Sequence, residues 1–171
     1  MRFHHIQEKE QRLPSVCHSR KLKRIDEFEK RKYFFKPMEE KMAKKVLVVD
    51  DDPDVITFNV SVLEENGYVP LIAKNGEEGL KKIKEEHPDL VILDVLMPKQ
   101  SGIRLYRELK TDKTLENIRV IILSGIAKKT FLRSQKALTE FGGEQVPEPE
   151  IYLEKPVEPE ELALAVKKIL G

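Results

Sequence analysis

Four segments of this chain share one pattern, an apolar run that stops abruptly on a reactive polar side chain. They are Val46–Asp51, Leu90–Asp94, Val120–Ser124 and Tyr152–Lys155. Short apolar runs without alternation read as parallel strands buried on both faces. In an open α/β sheet the carboxyl ends of such strands border a single crevice. The pattern therefore predicts that Asp50, Asp51, Asp94, Ser124 and Lys155 converge, although more than 100 residues separate the first from the last. Three carboxylates, a hydroxyl and an ammonium in one crevice can bind a divalent cation and carry a phosphoryl group on a carboxylate.

Between the strands the hydrophobic period changes to that of helices. After the strand Val46–Val49, a helix opens at Pro53, a residue suited to a first turn, and closes at Gly67. Tyr68–Ala73 is a more mixed strand, hence nearer an edge. Asn75 caps the next helix, with Glu77 and Glu78 in its first turn and lysines later, as the helix dipole favours; His87-Pro88 stops it. Leu90–Leu93 leads into a Met97–Gly102 loop and a helix from Ile103 to about Lys110. Arg119–Leu123, a helix over roughly Ala127–Phe141, the short strand Ile151–Leu153 and a helix over Glu158–Leu170 complete the series. In the last helix Leu162, Ala165, Val166 and Leu170 share a face. Five βα units in succession predict an α/β fold, a doubly wound parallel sheet with helices on both faces.

Two segments stand outside the repeat. Residues 1–43 show little periodicity beyond Leu22, Ile25 and Phe28, and read as a basic, poorly ordered N-terminal extension; 44–171 form the domain. Residues Gly142–Glu150 (GGEQVPEPE) read as a Pro- and Glu-rich linker too polar to pack. Charge divides along the same boundary. Residues 1–41 hold 12 Lys/Arg against 7 Asp/Glu, whereas residues 42–171 hold 19 against 23. An acidic domain argues against direct nucleic-acid binding by the domain itself. No apolar stretch approaches the ~20 residues of a membrane span, and the N-terminus lacks the apolar h-region of a secretory signal. Cys17 is the lone cysteine, which excludes an internal disulfide framework and fits a cytoplasmic setting. His4, His5, Cys17 and His18 have no recognised zinc-ligand spacing.

The stretches VLVVDDDPDV at 46–55, PDLVILDVLMP at 88–98, VIILSG at 120–125 and YLEKPV at 152–157 together resemble the receiver domain of two-component response regulators. The resemblance covers Lys44–Gly171 and implies a flavodoxin-like sheet of order 2-1-3-4-5, with the three most apolar strands in the middle. It implies that Asp94 is the phosphoacceptor and that Mg²⁺ is held by Asp51, Asp94 and the backbone carbonyl of Leu96, with Asp50 acting through water. It further implies that Lys155 and Ser124 stabilise the transferring phosphoryl group, that Gly125 leaves room for it, and that Tyr152 is an aromatic switch coupled to Ser124. Pro156 matches a position where the Lys-Pro bond is usually cis. A histidine kinase or phosphotransfer protein is the implied donor and a downstream protein the implied target. The implied reporting surface, and a possible homodimer contact, is the fourth helix, fifth strand and fifth helix.

Other readings of the same residues fare worse. Asp50, Asp52 and Asp54 alternate like a calcium loop, but Val55 stands where that loop needs glycine and Ser61 where it needs glutamate. Asp52 and Asp54 fit better as charges at a helix N-terminus. A haloacid-dehalogenase-type phosphatase with Asp50 as nucleophile also has a DxD strand end, a later serine and a lysine. It lacks a further acidic pair here and leaves LDVLMP at 93–98 unexplained. A receiver that serves as an unphosphorylated scaffold would not need the intact set of five residues. Since the last helix ends the sequence, the expectation is a stand-alone receiver or relay step, not an enzyme, that works through protein contact. Residues 142–150, longer than compact receivers require, are expected to shape partner choice. The basic arm has two readings, a docking tail or a stretch absent from the native protein, with Met42 as the natural start.

Overall fold

The computed structural model describes residues 43–141 and 143–171. Residues 1–42 lie outside it, so the N-terminal extension, the reading of Met42 as the natural start of the protein and the His/Cys set of the arm lie outside the described residues.

Five parallel strands form one sheet in the order β2-β1-β3-β4-β5. They are β1 (Lys45–Val49), β2 (Val69–Ala73), β3 (Leu90–Leu93), β4 (Arg119–Ser124) and β5 (Ile151–Glu154). The crossover helices are α1 (Pro53–Glu65), α2 (Gly76–Glu86), α3 (Ser101–Thr111) and α4 (Lys128–Glu140), and α5 (Pro159–Leu170) follows β5. The expected order and the edge position of β2 are both observed. Val48 pairs with Ile92 and Ile92 with Ile121, so the apolar centres of β1, β3 and β4 lie side by side.

Because strand side chains alternate between faces, the same three strands feed two cores. Leu47, Val49, Val91, Leu93, Val120 and Ile122 face Ile83, Leu105, Leu109 and Phe131. Val46, Val48, Leu90, Ile92, Ile121 and Leu123 face Ile56, Leu63, Leu162 and Val166. Each large side chain removed from water in this way contributes roughly 1.5–3 kcal/mol. That double burial explains why these strands carry no polar alternation until they reach the crevice.

Helix starts follow local chemistry. Asp52 caps α1, its Oδ1 accepting from the Asp54 amide at 2.9 Å, with Pro53 in the first turn. Asn75 caps α2 by accepting from the Glu78 amide at 2.9 Å, while Glu78 accepts from the Lys74 amide at 3.0 Å, a reciprocal closure of the turn. His87 adopts left-handed φ 48° at the end of α2, directly before Pro88.

Two expectations need correction. The third helix begins at Ser101, not Ile103, because a 3₁₀ turn over Pro98–Gln100, with Lys99 at φ 58°, delivers the chain into it early. Gly102 permits that entry: a Cβ there would lie 2.0 Å from the Asp94 carbonyl oxygen.

The second correction concerns the segment before β5, which packs instead of floating as a polar linker. Val146 lies against the first core and Pro149 is buried. The Tyr106 hydroxyl donates to the Pro147 carbonyl at 2.7 Å, and Arg107 Nη2 donates to the Glu144 carbonyl at 2.7 Å. Glu150 receives the buried Lys110 ammonium at 3.0 Å and the Val120 amide at 2.7 Å. Side chains of α3 thus satisfy a segment that its own polarity suggested would stay in water. Gly143 fits this strap closely, since a Cβ there would come within 2.6 Å of both Arg107 Nη2 and the Leu138 carbonyl.

Candidate phosphoacceptor site

The ends of β1, β3, β4 and β5 carry the site, and backbone bonds just past the strands hold it rigid. The Asp50 amide donates to the Ala73 carbonyl at 3.1 Å, the Asp94 amide to Val49 at 2.9 Å and the Lys155 amide to Ser124 at 2.9 Å. Asp50, Asp94 and Lys155 are therefore each the first residue beyond their strand, still locked to the neighbouring strand.

These locks bring the side chains together. Lys155 Nζ lies 2.8 Å from Asp50 Oδ2 and 3.0 Å from Asp94 Oδ2. The other oxygens are also engaged, Asp50 Oδ1 by the Asp52 amide and Asp94 Oδ1 by the Leu96 amide, both at 2.9 Å. Asp50 and Asp94 are buried, at 2% and 7% exposure, while Asp51 is exposed at the mouth. One ammonium thus meets two carboxylates, with Asp51 beside them. Burial raises the pKa of Asp50 even though Lys155 and the Asp52 amide oppose it. For Lys155, burial works against the charged form, but the bonds to Asp50 and Asp94 prevail and its pKa rises.

Asp50, Asp51 and Asp94 each offer an oxygen, all within 4.8 Å of one another. Hard carboxylate oxygens with excess negative charge, one of them open to solvent, fit a divalent cation such as Mg²⁺. Leu96 reaches the cluster through its backbone. Leu96 is 52% exposed, and its Cδ1 would lie 3.5 Å from a Cβ at Gly125, an ordinary van der Waals contact.

Ser124 closes β4 fully buried, and its hydroxyl has no hydrogen-bond partner among the described residues. Tyr152 is half-buried on β5, its ring 5.6 Å from that of Phe131, and its hydroxyl donates to the Ile126 carbonyl at 2.7 Å. Burial pushes its pKa up to about 12. The Lys155–Pro156 bond is cis, as the resemblance implied. Asp52 serves the site only through its amide; its carboxylate caps α1, which removes the second carboxylate that a DxD phosphatase needs.

Two features escaped sequence reading. Glu154, beside Lys155, accepts from the Lys128 amide at 3.0 Å and so ties β5 to the start of α4. A cleft of about 360 Å³ opens between α2 and α3 beside Asp51, lined in part by Lys74, Ser101 and Arg104. Neither has a local signature, since each depends on loops distant in sequence.

The family model for the response regulator receiver domain matches residues 46–167. The alkaline phosphatase synthesis transcriptional regulatory protein PhoP of Bacillus subtilis is 37% identical over 129 residues, which cover 75% of this chain and 49% of that protein. The polar-differentiation response regulator DivK of Brucella ovis is 28% identical over 130 residues, covering 76% of this chain and 98% of that one. The chain thus spans about half the length of the transcriptional regulators it matches and nearly the whole of DivK. Among solved structures, a putative response regulator from Chloroflexus aurantiacus is 32% identical with a TM-score of 0.61, over 75% of this chain and 98% of that one. The chemotaxis response regulator CheY4 of Vibrio cholerae is 25% identical with a TM-score of 0.63, over 75% of this chain and 100% of that one. An aspartate cluster on the carboxyl edge of a 2-1-3-4-5 sheet, with these matches, makes the chain a member of the response regulator receiver family.

Proposed function

We propose that the domain accepts a phosphoryl group onto Asp94 from the phosphohistidine of a histidine kinase or phosphotransfer protein, in a Mg²⁺-dependent reaction, and passes the signal on by protein contact. The observation that carries this reading is the meeting of Asp94 and Asp50 on one lysine, with Asp51 alongside, at the open edge of the sheet. In the transfer, an Asp94 oxygen forms a bond to phosphorus as the P–N bond to the donor imidazole breaks. Asp94 is suited to attack because the Leu96 amide and Lys155 hold its carboxylate in place before the donor arrives.

Asp51, Asp94 and the Leu96 carbonyl would hold the cation directly, and Asp50 would hold it through water. The bound ion supplies charge neutralisation to the carboxylates and to the incoming phosphoryl oxygens. Lys155 adds its ammonium to the same oxygens, and the unpaired hydroxyl of Ser124 is a donor available to them. Tyr152 acts as the switch, shifting with Ser124 between two packings against Phe131. The face built by α4, β5 and α5 is the output surface, open to a downstream protein or a second copy of the chain. We place the domain in the cytoplasm; no helix among the described residues is long and apolar enough to cross a membrane.

Incubation with acetyl phosphate and Mg²⁺, followed by intact mass measurement and peptide mapping, tests the assignment. We expect one phosphoryl group on Asp94, abolished by EDTA and by Asp94→Asn. Phosphate on Asp50 would establish the phosphatase reading instead, and no Mg²⁺-dependent uptake at all would leave a scaffold.

A further inference from the structure

Helix α4 starts without a cap of its own. Ala127 stands at its N-cap position and offers no side-chain acceptor, and Lys128 and Lys129 open the helix with charges that its dipole disfavours. The missing acceptor comes from another element. Glu154, the last residue of β5, accepts from the Lys128 amide at 3.0 Å through Oε1. Tyr152 lies two residues earlier, hence on the same face of the strand, and its hydroxyl donates to the Ile126 carbonyl at 2.7 Å. The connection from β4 to α4, residues 125–127, is thus fastened to β5 on both sides of Ala127. Both partners in the fastening adjoin the phosphoacceptor site. Ser124, which precedes the connection, pairs with Glu154 across the sheet, and Lys155, which follows Glu154, holds Asp50 and Asp94.

Ser124 has a fully buried hydroxyl with no partner among the described residues. A phosphoryl group on Asp94 would offer it an acceptor, and Gly125, the next residue, has the backbone freedom to let the connection follow. A donor 3.0 Å away leaves hydrogen-bonding range once it retreats by about half an ångström, so a connection that moves with Ser124 leaves the Glu154 carboxylate behind. We propose that Glu154 is a positioning residue of the switch: it caps α4 from β5 while Asp94 is unphosphorylated, lets go when Ser124 turns to the phosphoryl group, and so restrains phosphoryl uptake. The inference deepens the function proposed above and rests on it. Because the cap belongs to only one of the two packings, its loss shifts the balance between them by the full worth of the bond. For a helix cap of ordinary strength that shift is about fivefold.

The test compares the full chain with its Glu154→Ala, Glu154→Gln and Glu154→Ala/Ala127→Ser variants. Each is titrated with beryllium fluoride and Mg²⁺, a mimic of the phosphoryl group, followed by ¹⁵N NMR; amide exchange at Lys128–Thr130 is measured without the mimic. We expect Glu154→Ala to bind the mimic about fivefold more tightly and to exchange faster at the start of α4. Glutamine keeps a carbonyl oxygen for the Lys128 amide, so Glu154→Gln should stay within about twofold of the wild type. Equal tightening in both variants would assign the effect to charge and overturn the cap. Ala127 is extended, with φ −62° and ψ 140°, so a serine there can cap α4 locally and travel with the helix. The double variant should therefore regain slow exchange yet keep the tighter binding. Return to the wild-type affinity in the double variant would show that Glu154 only stabilises the helix, and unchanged affinity in Glu154→Ala would show no coupling. Either result overturns the inference and leaves the proposed function standing. Failure of the wild type to bind the mimic at all would overturn that function, and the role of Glu154 with it.

Discussion

Replacing Lys155 with methionine keeps most of the side chain's length and removes its charge, leaving Asp50 and Asp94 buried without their shared counterion. Two charge-assisted hydrogen bonds, at about 1.5–3 kcal/mol each, set a ceiling of about 3–6 kcal/mol. The Lys155 side chain is 23% exposed, so its removal also relieves a desolvation cost. A net loss of about 3 kcal/mol follows, near the lower end for a broken buried pair. In metal-free buffer this corresponds to a fall in Tm on the order of 10 °C. The cost comes from charge left behind, so Asp50→Asn added to the variant should return about 1–2 kcal/mol; the asparagine Oδ1 can still accept from the Asp52 amide. The pH dependence has a defined sign. Asp50 has a raised folded pKa, so its buried charge costs nothing in acid, where both states are protonated, and costs progressively more as pH rises above the unfolded value of about 3.9. The deficit of Lys155→Met should therefore widen from acid to neutral pH. Urea melts of the wild type, both single variants and the double variant, in EDTA, measure all of this. A Lys155→Met loss below about 0.5 kcal/mol, or no relief from Asp50→Asn, would refute the account of the site as a strained charge cluster.

Gly102→Ala should cost about 3 kcal/mol or more and lower phosphoryl uptake, because the new methyl must displace the Asp94 backbone; chemical denaturation and acetyl phosphate labelling of one preparation check both effects. Glu150→Ala removes the carboxylate that meets Lys110, whose ammonium keeps its bond to the Ile118 carbonyl, and the acceptor of the Val120 amide; it should cost about 2 kcal/mol, with faster amide exchange across residues 143–150. For Asp89, burial favours the neutral form, but the Lys44 ammonium and the Lys45 amide outweigh it and hold its carboxyl below the ordinary value. Its contribution is present above the unfolded pKa and lost as pH falls through the folded one. Asp89→Asn should thus be destabilised by about 1 kcal/mol at neutral pH and converge with the wild type in strong acid, as melts at stepped pH would show.

Buried parallel strands and amphipathic helices announce themselves locally, because double burial demands uninterrupted apolar runs and single-face burial demands a helical period. Five alternating units, the edge character of Tyr68–Ala73, the cap at Asn75 and the place of Asp52 at a helix N-terminus were legible for that reason. The reactive strand ends were legible too, since a polar residue closing an apolar run has little to do there except line a crevice. Contacts between distant segments left no such trace. The sharing of Lys155 by Asp50 and Asp94 requires the register of four strands. The cap that Glu154 lends to α4 and the folding of 143–150 onto Tyr106, Arg107 and Lys110 depend on partners 26 to 41 residues away. The average polarity of residues 143–150 does not reveal how they pack. A polar backbone can be buried wherever donors from another element meet its carbonyls, and only the assembled fold decides whether they do.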